Sequence, residues 1–120
     1  MSYNEATRCI TLVAGADFRT TGINRFCVVG TDGKAEIAGA NARAIGVIYD
    51  NPPEDEACTV AVAGVVQIEV GSGGLTAGDI VQCAANGLVV TQSSTNPRLG
   101  IAMESAVQGD IASVFLKAFA

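Results

Sequence analysis

Apolar residues along the chain come in short runs, and Gly, Asn, Asp or Pro breaks each run before a helical period holds for ten residues. That pattern predicts strands at residues 8–13, 26–30, 35–38, 44–49, 58–62, 65–70, 80–84, 88–92, 99–103 and 112–119. In Val66, Gln67, Ile68, Glu69 and Val70 apolar and polar positions alternate strictly, which buries one face of a strand and leaves the other wet. Asp32-Gly33 and Asn86-Gly87 each separate two β-prone runs and suit tight hairpins, because both residues tolerate positive φ. Asn51-Pro52-Pro53-Glu54-Asp55-Glu56 cannot be a central strand, since Pro donates no ladder hydrogen bond, and it reads as a rigid acidic loop. Gly71-Ser72-Gly73-Gly74 is a second loop. The expectation is an all-β chain with no helix longer than about three turns.

Sliding the sequence 54 positions along itself places Asp32-Gly33 on Asn86-Gly87 and Ile45-Gly46-Val47 on Leu99-Gly100-Ile101. The same shift places Glu56-Ala57-Cys58-Thr59-Val60 on Asp110-Ile111-Ala112-Ser113-Val114, with no gap. Three features in one register predict two pseudo-repeated halves, residues 22–62 and 76–116, each a hairpin, a Gly-containing strand, a loop and a final strand. Two such halves have exposed sheet edges, which packing into one closed or nearly closed barrel removes. The architecture expected is therefore a single β-barrel-like domain over residues 8–120. Residues 1–7 precede the first strand signal and lack the apolar content of a core element, so they are expected to form a mobile arm in the free protein.

Composition adds a reason to associate. At 120 residues the chain has room for one core, and its 49% apolar share is mostly Ala and Val, with no Trp. Small side chains bury little area at about 25 cal/mol per Å², so oligomerisation is expected to supplement a modestly stable monomer. The net charge is −5 and the seven Lys and Arg residues are scattered, which argues against a nucleic-acid partner. Arg8, Arg19, Arg25, Lys34 and Arg43 fall in the first part, whereas residues 44–97 carry only acidic charges. Faces of opposite sign would orient docking on a neighbour, although the acidic run at residues 50–56 also reads simply as a solvated loop. The N-terminus lacks the pattern of a secretory signal and no stretch approaches the roughly 20 apolar residues of a membrane span, so a cytoplasmic fold with no membrane partner is expected. Cys9, Cys27, Cys58 and Cys83 are far apart and read as small buried hydrophobes rather than disulfides or zinc ligands.

Chemistry is sparse. There is no histidine, so Ser-His and Cys-His activation are ruled out. Glu54, Asp55 and Glu56 lie on a Pro-bearing loop with nothing to suggest the burial that tunes a catalytic acid. Asp79 and Asp110 each follow Gly and fit turn-stabilising roles. Gly71-Ser72-Gly73-Gly74 lacks the Lys-Ser/Thr ending of a phosphate loop. Arg43 and Arg98 each precede a Gly-containing strand, and either pair with carboxylates or lie at a subunit contact. No catalytic residue, cofactor, metal or small-molecule substrate is expected.

Residues 38–48 (Ala-Gly-Ala-Asn-Ala-Arg-Ala-Ile-Gly-Val-Ile) followed by Asn51, residues 65–70 before Gly73-Gly74-Leu75-Thr76-Ala77-Gly78-Asp79, residues 99–104 and the closing residues 110–116 together resemble capsid decoration (cement) proteins of tailed bacteriophages. The resemblance spans nearly the whole chain and rests on many positions rather than one motif. It implies a non-enzymatic virion protein on the outside of an expanded head, commonly trimeric, bridging neighbouring major capsid subunits and needing no cofactor. It carries over no fixed contact residues. The candidate capsid or subunit contacts are therefore drawn from the residues themselves: Ser2, Tyr3, Asn4 and Glu5 in the arm, Asp50, Glu54, Asp55 and Glu56 in the acidic loop, and Arg43 and Arg98. The rival readings are another virion subunit, of the tail tube or head completion, and a small carbohydrate-binding module, the latter weakened by the scarcity of aromatic rings.

Overall fold

Within residues 5–117, which a computed structural model describes (side chains from residue 8), every regular element except one 3-10 turn is a strand. The strands are β1 (Glu5–Val13), β2 (Phe26–Val29), β3 (Ala35–Ile37), β4 (Gly46–Ile48), β5 (Ala57–Glu69), β6 (Ile80–Cys83), β7 (Val89–Thr91), β8 (Gly100–Ala102) and β9 (Ile111–Leu116). All pair antiparallel in one curled sheet of order β3-β2-β4-β5-β9-β8-β6-β7, with β1 added beside β5. The single 3-10 turn, Ala85–Gly87, is the tip of the β6–β7 hairpin, where Asn86 and Gly87 both take positive φ as the Asn-Gly pair predicts.

Two boundaries differ from the sequence reading. Part of the arm expected over residues 1–7 is strand: β1 begins at Glu5, which pairs with Val65, followed by Ala6 with Gly64. Ladder hydrogen bonds are made by the backbone, so strand pairing there needs none of the apolar side chains on which the expectation was built. Residues 1–4 and 118–120 lie outside the described residues. The strands expected at 58–62 and 65–70 are one strand, β5, which continues through Gly64 at φ +97, a conformation that an L side chain disfavours.

The repeat is borne out in register as well as in order. Phe26 pairs with Val47 and Cys27 with Gly46, and 54 positions on Ile80 pairs with Ile101 and Val81 with Gly100. Cys27 pairs with Ile37, and Val81 with Thr91. Even a side chain is repeated: Asp50 Oδ1 accepts from the Thr59 N–H at 3.1 Å, and Glu104 Oε2 from the Ser113 N–H at 2.9 Å. The structure also lengthens the repeat. β1 lies against the first part of β5 as the second part of β5 lies against β9, with Ile10 opposite Val60 and Val66 opposite Val114. This added strand is shifted by 56 positions rather than 54, since the connection after Val70 is two residues shorter than the one after Ala14, and an ungapped comparison misses it. β5 therefore belongs to both halves. In each half the first strand runs back to the last hairpin strand, through the Ala14 to Ala35 and Val70 to Val89 bridges.

Burial follows the same scheme. Ala14, Phe18, Cys27, Ala35, Ile48, Cys58 and Val60 form the first half's own core. Their repeats, including Val70, Val81, Val89, Ala102, Ala112 and Val114, sit in a larger cluster that also takes in Phe26, Val47 and Ala61 from the first half. That larger cluster is the seam joining the halves. Gly46 and Gly100 are required by the packing of β4 on β5 and β8 on β9: a Cβ at Gly46 would lie 2.2 Å from the Ala61 carbonyl oxygen, and one at Gly100 would lie 2.3 Å from that of Phe115.

Candidate functional site

The acidic loop joins β4 to β5 and is fastened to the first half rather than free. Pro52 is buried and its carbonyl accepts from the Phe18 N–H at 2.9 Å. The Ala14 N–H donates to the Glu56 carbonyl at 2.8 Å, and the Asp55 N–H to the Ala14 carbonyl at 2.9 Å. Asp55 sits at φ +70, the position of Gly109 in the repeat, and its carboxylate takes a 2.8 Å ion pair from Lys34, which raises the lysine's pKa. Asp50 is used internally, on the Thr59 N–H. Glu54 and Glu56 are exposed and present negative charge to solvent.

Arg43 and Arg98 lie far apart in sequence and meet in space. Both line a cavity of about 220 Å³ between the halves, with Lys117 beside them and Phe26, Ile45, Val62, Leu99 and Leu116 as its apolar walls. Both arginines are exposed, and neither forms an ion pair among the described residues, so the carboxylate pairing considered from sequence is absent there. The cation that ties the halves together is Arg25, which the sequence reading did not single out. Its guanidinium donates to the Asn86 carbonyl at 3.0 Å and to Glu69 at 3.3 Å. Its place immediately before Phe26, at the start of the repeated hairpin, was the available signal.

The candidate residues are thus not one site. Asp50, Glu54, Asp55 and Glu56 share the loop, Arg43 and Arg98 share the cavity, and Glu5 opens β1. Ser2, Tyr3 and Asn4 lie outside the described residues. Sequence reasoning also missed a set of exposed apolar residues on β9 and the loop after β8: Met103, Ile111 and Phe115. Among the described aromatic residues Phe18 and Phe26 are buried, Tyr49 is half-buried and Phe115 is exposed.

Asp110 behaves as its position suggests, accepting from the Val107 N–H at 3.3 Å, whereas Asp79 takes the Thr91 hydroxyl, also at 3.3 Å. Of the cysteines, three are buried as expected and Cys9 is not, because Arg8 to Thr11 on β1 are all exposed, and among the described residues that strand pairs along one side apart from the Ala14 bridge. Burial pushes the Cys27 and Cys83 thiols up to about 11 and the Cys58 thiol up to about 12. Only thiolate reacts with alkylating reagents. Iodoacetamide at mildly alkaline pH is therefore expected to add one group per folded chain, at Cys9, and four in denaturant, as read by peptide mass spectrometry. Fast labelling of Cys27 or Cys58 in the folded protein would contradict the core described above.

Compared with known proteins, residues 11–117 match the family model described as phage cement protein. The chain belongs to that family. It is a structural component of the phage head, and the virion is its location. Among solved structures it is similar to the one titled "The crystal structure of head fiber gp8.5 N base in bacteriophage phi29", with a TM-score of 0.72 over 92% of this chain and 93% of that one. At 18% identity that likeness is one of fold. No curated protein matches.

Proposed function

We propose that this cement protein binds the outside of the expanded phage head as a homotrimer and holds neighbouring major capsid subunits together, without catalysis, cofactor or nucleic-acid contact. The family match over residues 11–117 carries the reading. A solved head component with the same fold supports a position on the head surface. The two charged features supply means of docking. An acidic loop fastened at its base and a cavity flanked by Arg43, Arg98 and Lys117 give patches of opposite sign, which orient an encounter and fix its register. Residues 2–4, ahead of β1, extend the contact, with Tyr3 as an amphipathic anchor. Assembly takes place in the host cytoplasm, where the free thiols stay reduced. Three weak contacts from a cyclic trimer at a site of local threefold symmetry gain avidity without tighter individual contacts.

The decisive experiment mixes purified protein with undecorated expanded heads and images the particles. Extra density over junctions of major capsid subunits is expected, and heads that stay bare at saturating protein would overturn the reading. Reversing the cavity charge with Arg43→Glu and Arg98→Glu together should weaken attachment at least roughly tenfold while melting stays within a few degrees of wild type, since both side chains are exposed. Equal occupancy by the double variant would remove the cavity from the contact.

A further inference from the structure

The two halves repeat each other in backbone but not in burial. Phe26, Val47 and Ala61 form a cross-strand row on β2, β4 and β5 that is 1%, 0% and 0% exposed. The same row in the second half is Ile80, Ile101 and Phe115 on β6, β8 and β9, and it is open: Phe115 keeps 39% exposure and the other two are half-buried. Residues directly paired across strands share a face of the sheet. Val65, paired with Phe115, continues the row onto β5, and the exposed Met103 and Ile111 flank it.

The first row is covered by the second half of the same chain, and the β6–β7 hairpin end meets that row at Phe26. Phe26, Val47 and Ala61 cluster with second-half residues and not with their own half's core. The β6–β7 hairpin end lies against β2 and the segment after β3. The Cys83 thiol, itself buried, donates to the Gly39 carbonyl at 3.2 Å, Arg25 donates to the Asn86 carbonyl, and a Cβ on Gly87 would stand 2.9 Å from the Phe26 carbonyl oxygen. The repeat of that hairpin end is residues 29–34 between β2 and β3. It is exposed: Val29, in the place of Cys83, is 47% accessible, and Thr31, Asp32 and Gly33 are on the surface. One chain thus holds one completed contact between hairpin and row, and both separated parts of a second.

We infer that the open row Ile80, Ile101, Phe115 is met by the β2–β3 hairpin end of a second copy of this chain, as the β6–β7 hairpin end lies against Phe26 within it. The two surfaces differ, so the contact runs head to tail and closes into a ring when the rotation permits. This supplies the interface for the homotrimer of the proposed function and rests on that part of the reading. The polar component is not repeated, because Asp79 stands where Arg25 does. The shared component is apolar burial.

Light scattering on the purified full chain at high concentration tests this. Wild type should exceed the monomer mass, and Phe115→Glu and Val29→Asp should each weaken association at least roughly tenfold, since each would bury an unpaired charge. Both residues are exposed, so circular dichroism should report wild-type folding for the two variants. Mixing the variants in equal amounts should give a dimer and nothing larger, because one retains an intact hairpin and the other an intact row. A monomeric wild type, variants that keep the wild-type mass, or a mixture that stays monomeric would each overturn the inference. Failure of an oligomeric wild type to decorate heads would instead remove the capsid reading and leave the interface standing.

Discussion

Gly100→Ala should lower stability by about 3 kcal/mol, a fall in Tm of roughly 10 °C for a domain of this size, read by thermal denaturation followed by circular dichroism. The cause is backbone proximity. An added Cβ would lie 2.3 Å from the Phe115 carbonyl oxygen, 3.1 Å from its carbon and 3.2 Å from the Leu116 Cα. None of these atoms belongs to a side chain able to rotate away, and β8 is held between β6 and β9. Gly46→Ala should behave alike, with the Ala61 carbonyl oxygen 2.2 Å from the new Cβ. Gly39→Ala is the control: nothing lies within 4 Å of its Cβ position, so a change within about 0.5 kcal/mol is expected. Wild-type melting of Gly100→Ala would mean that β8 and β9 are not packed as described.

These two glycines also show what was legible in the sequence. Gly46 and Gly100 were visible as a repeated small residue within apolar runs, and that recurrence fixed the 54-residue register before any packing was known. Short apolar runs ended by turn residues placed most strands, and at Val66 to Val70 the period of two that a half-buried sheet imposes was visible as well. The start of β1, its place in the repeat and the continuity of β5 were less legible, because they depend on backbone pairing across a two-residue offset change and on the conformation of Gly64. The meeting of Arg43 with Arg98 was equally hidden. They occupy neighbouring places in the repeat rather than equivalent ones, and only the packing of the halves brings them to one cavity. The open row was hidden for a related reason. Ile80, Ile101 and Phe115 are ordinary apolar strand residues in sequence, and their exposure is visible only against the buried row they repeat.

Phe26→Ala should lower stability by about 3–5 kcal/mol, the usual cost of removing a large ring from a packed core. Phe26 is 1% exposed and lies in the seam, against the cavity walls formed by Leu99 and Leu116 and beneath the hairpin held by Arg25. Its removal enlarges an existing cavity, so the neighbours have little to close around, and the loss falls on the contact that joins the halves rather than on either half's own core. Ile80→Ala is the matched comparison, because Ile80 occupies the same place in the repeat and is only half-buried. In a Phe115→Glu background, where association does not contribute, it should lower stability by no more than about 1.5 kcal/mol. Chemical denaturation measures both. The difference reports the unequal use of two equivalent surfaces. Equal losses at Phe26 and Ile80 would show that the second row is covered within the chain, and that outcome would also contradict the head-to-tail interface.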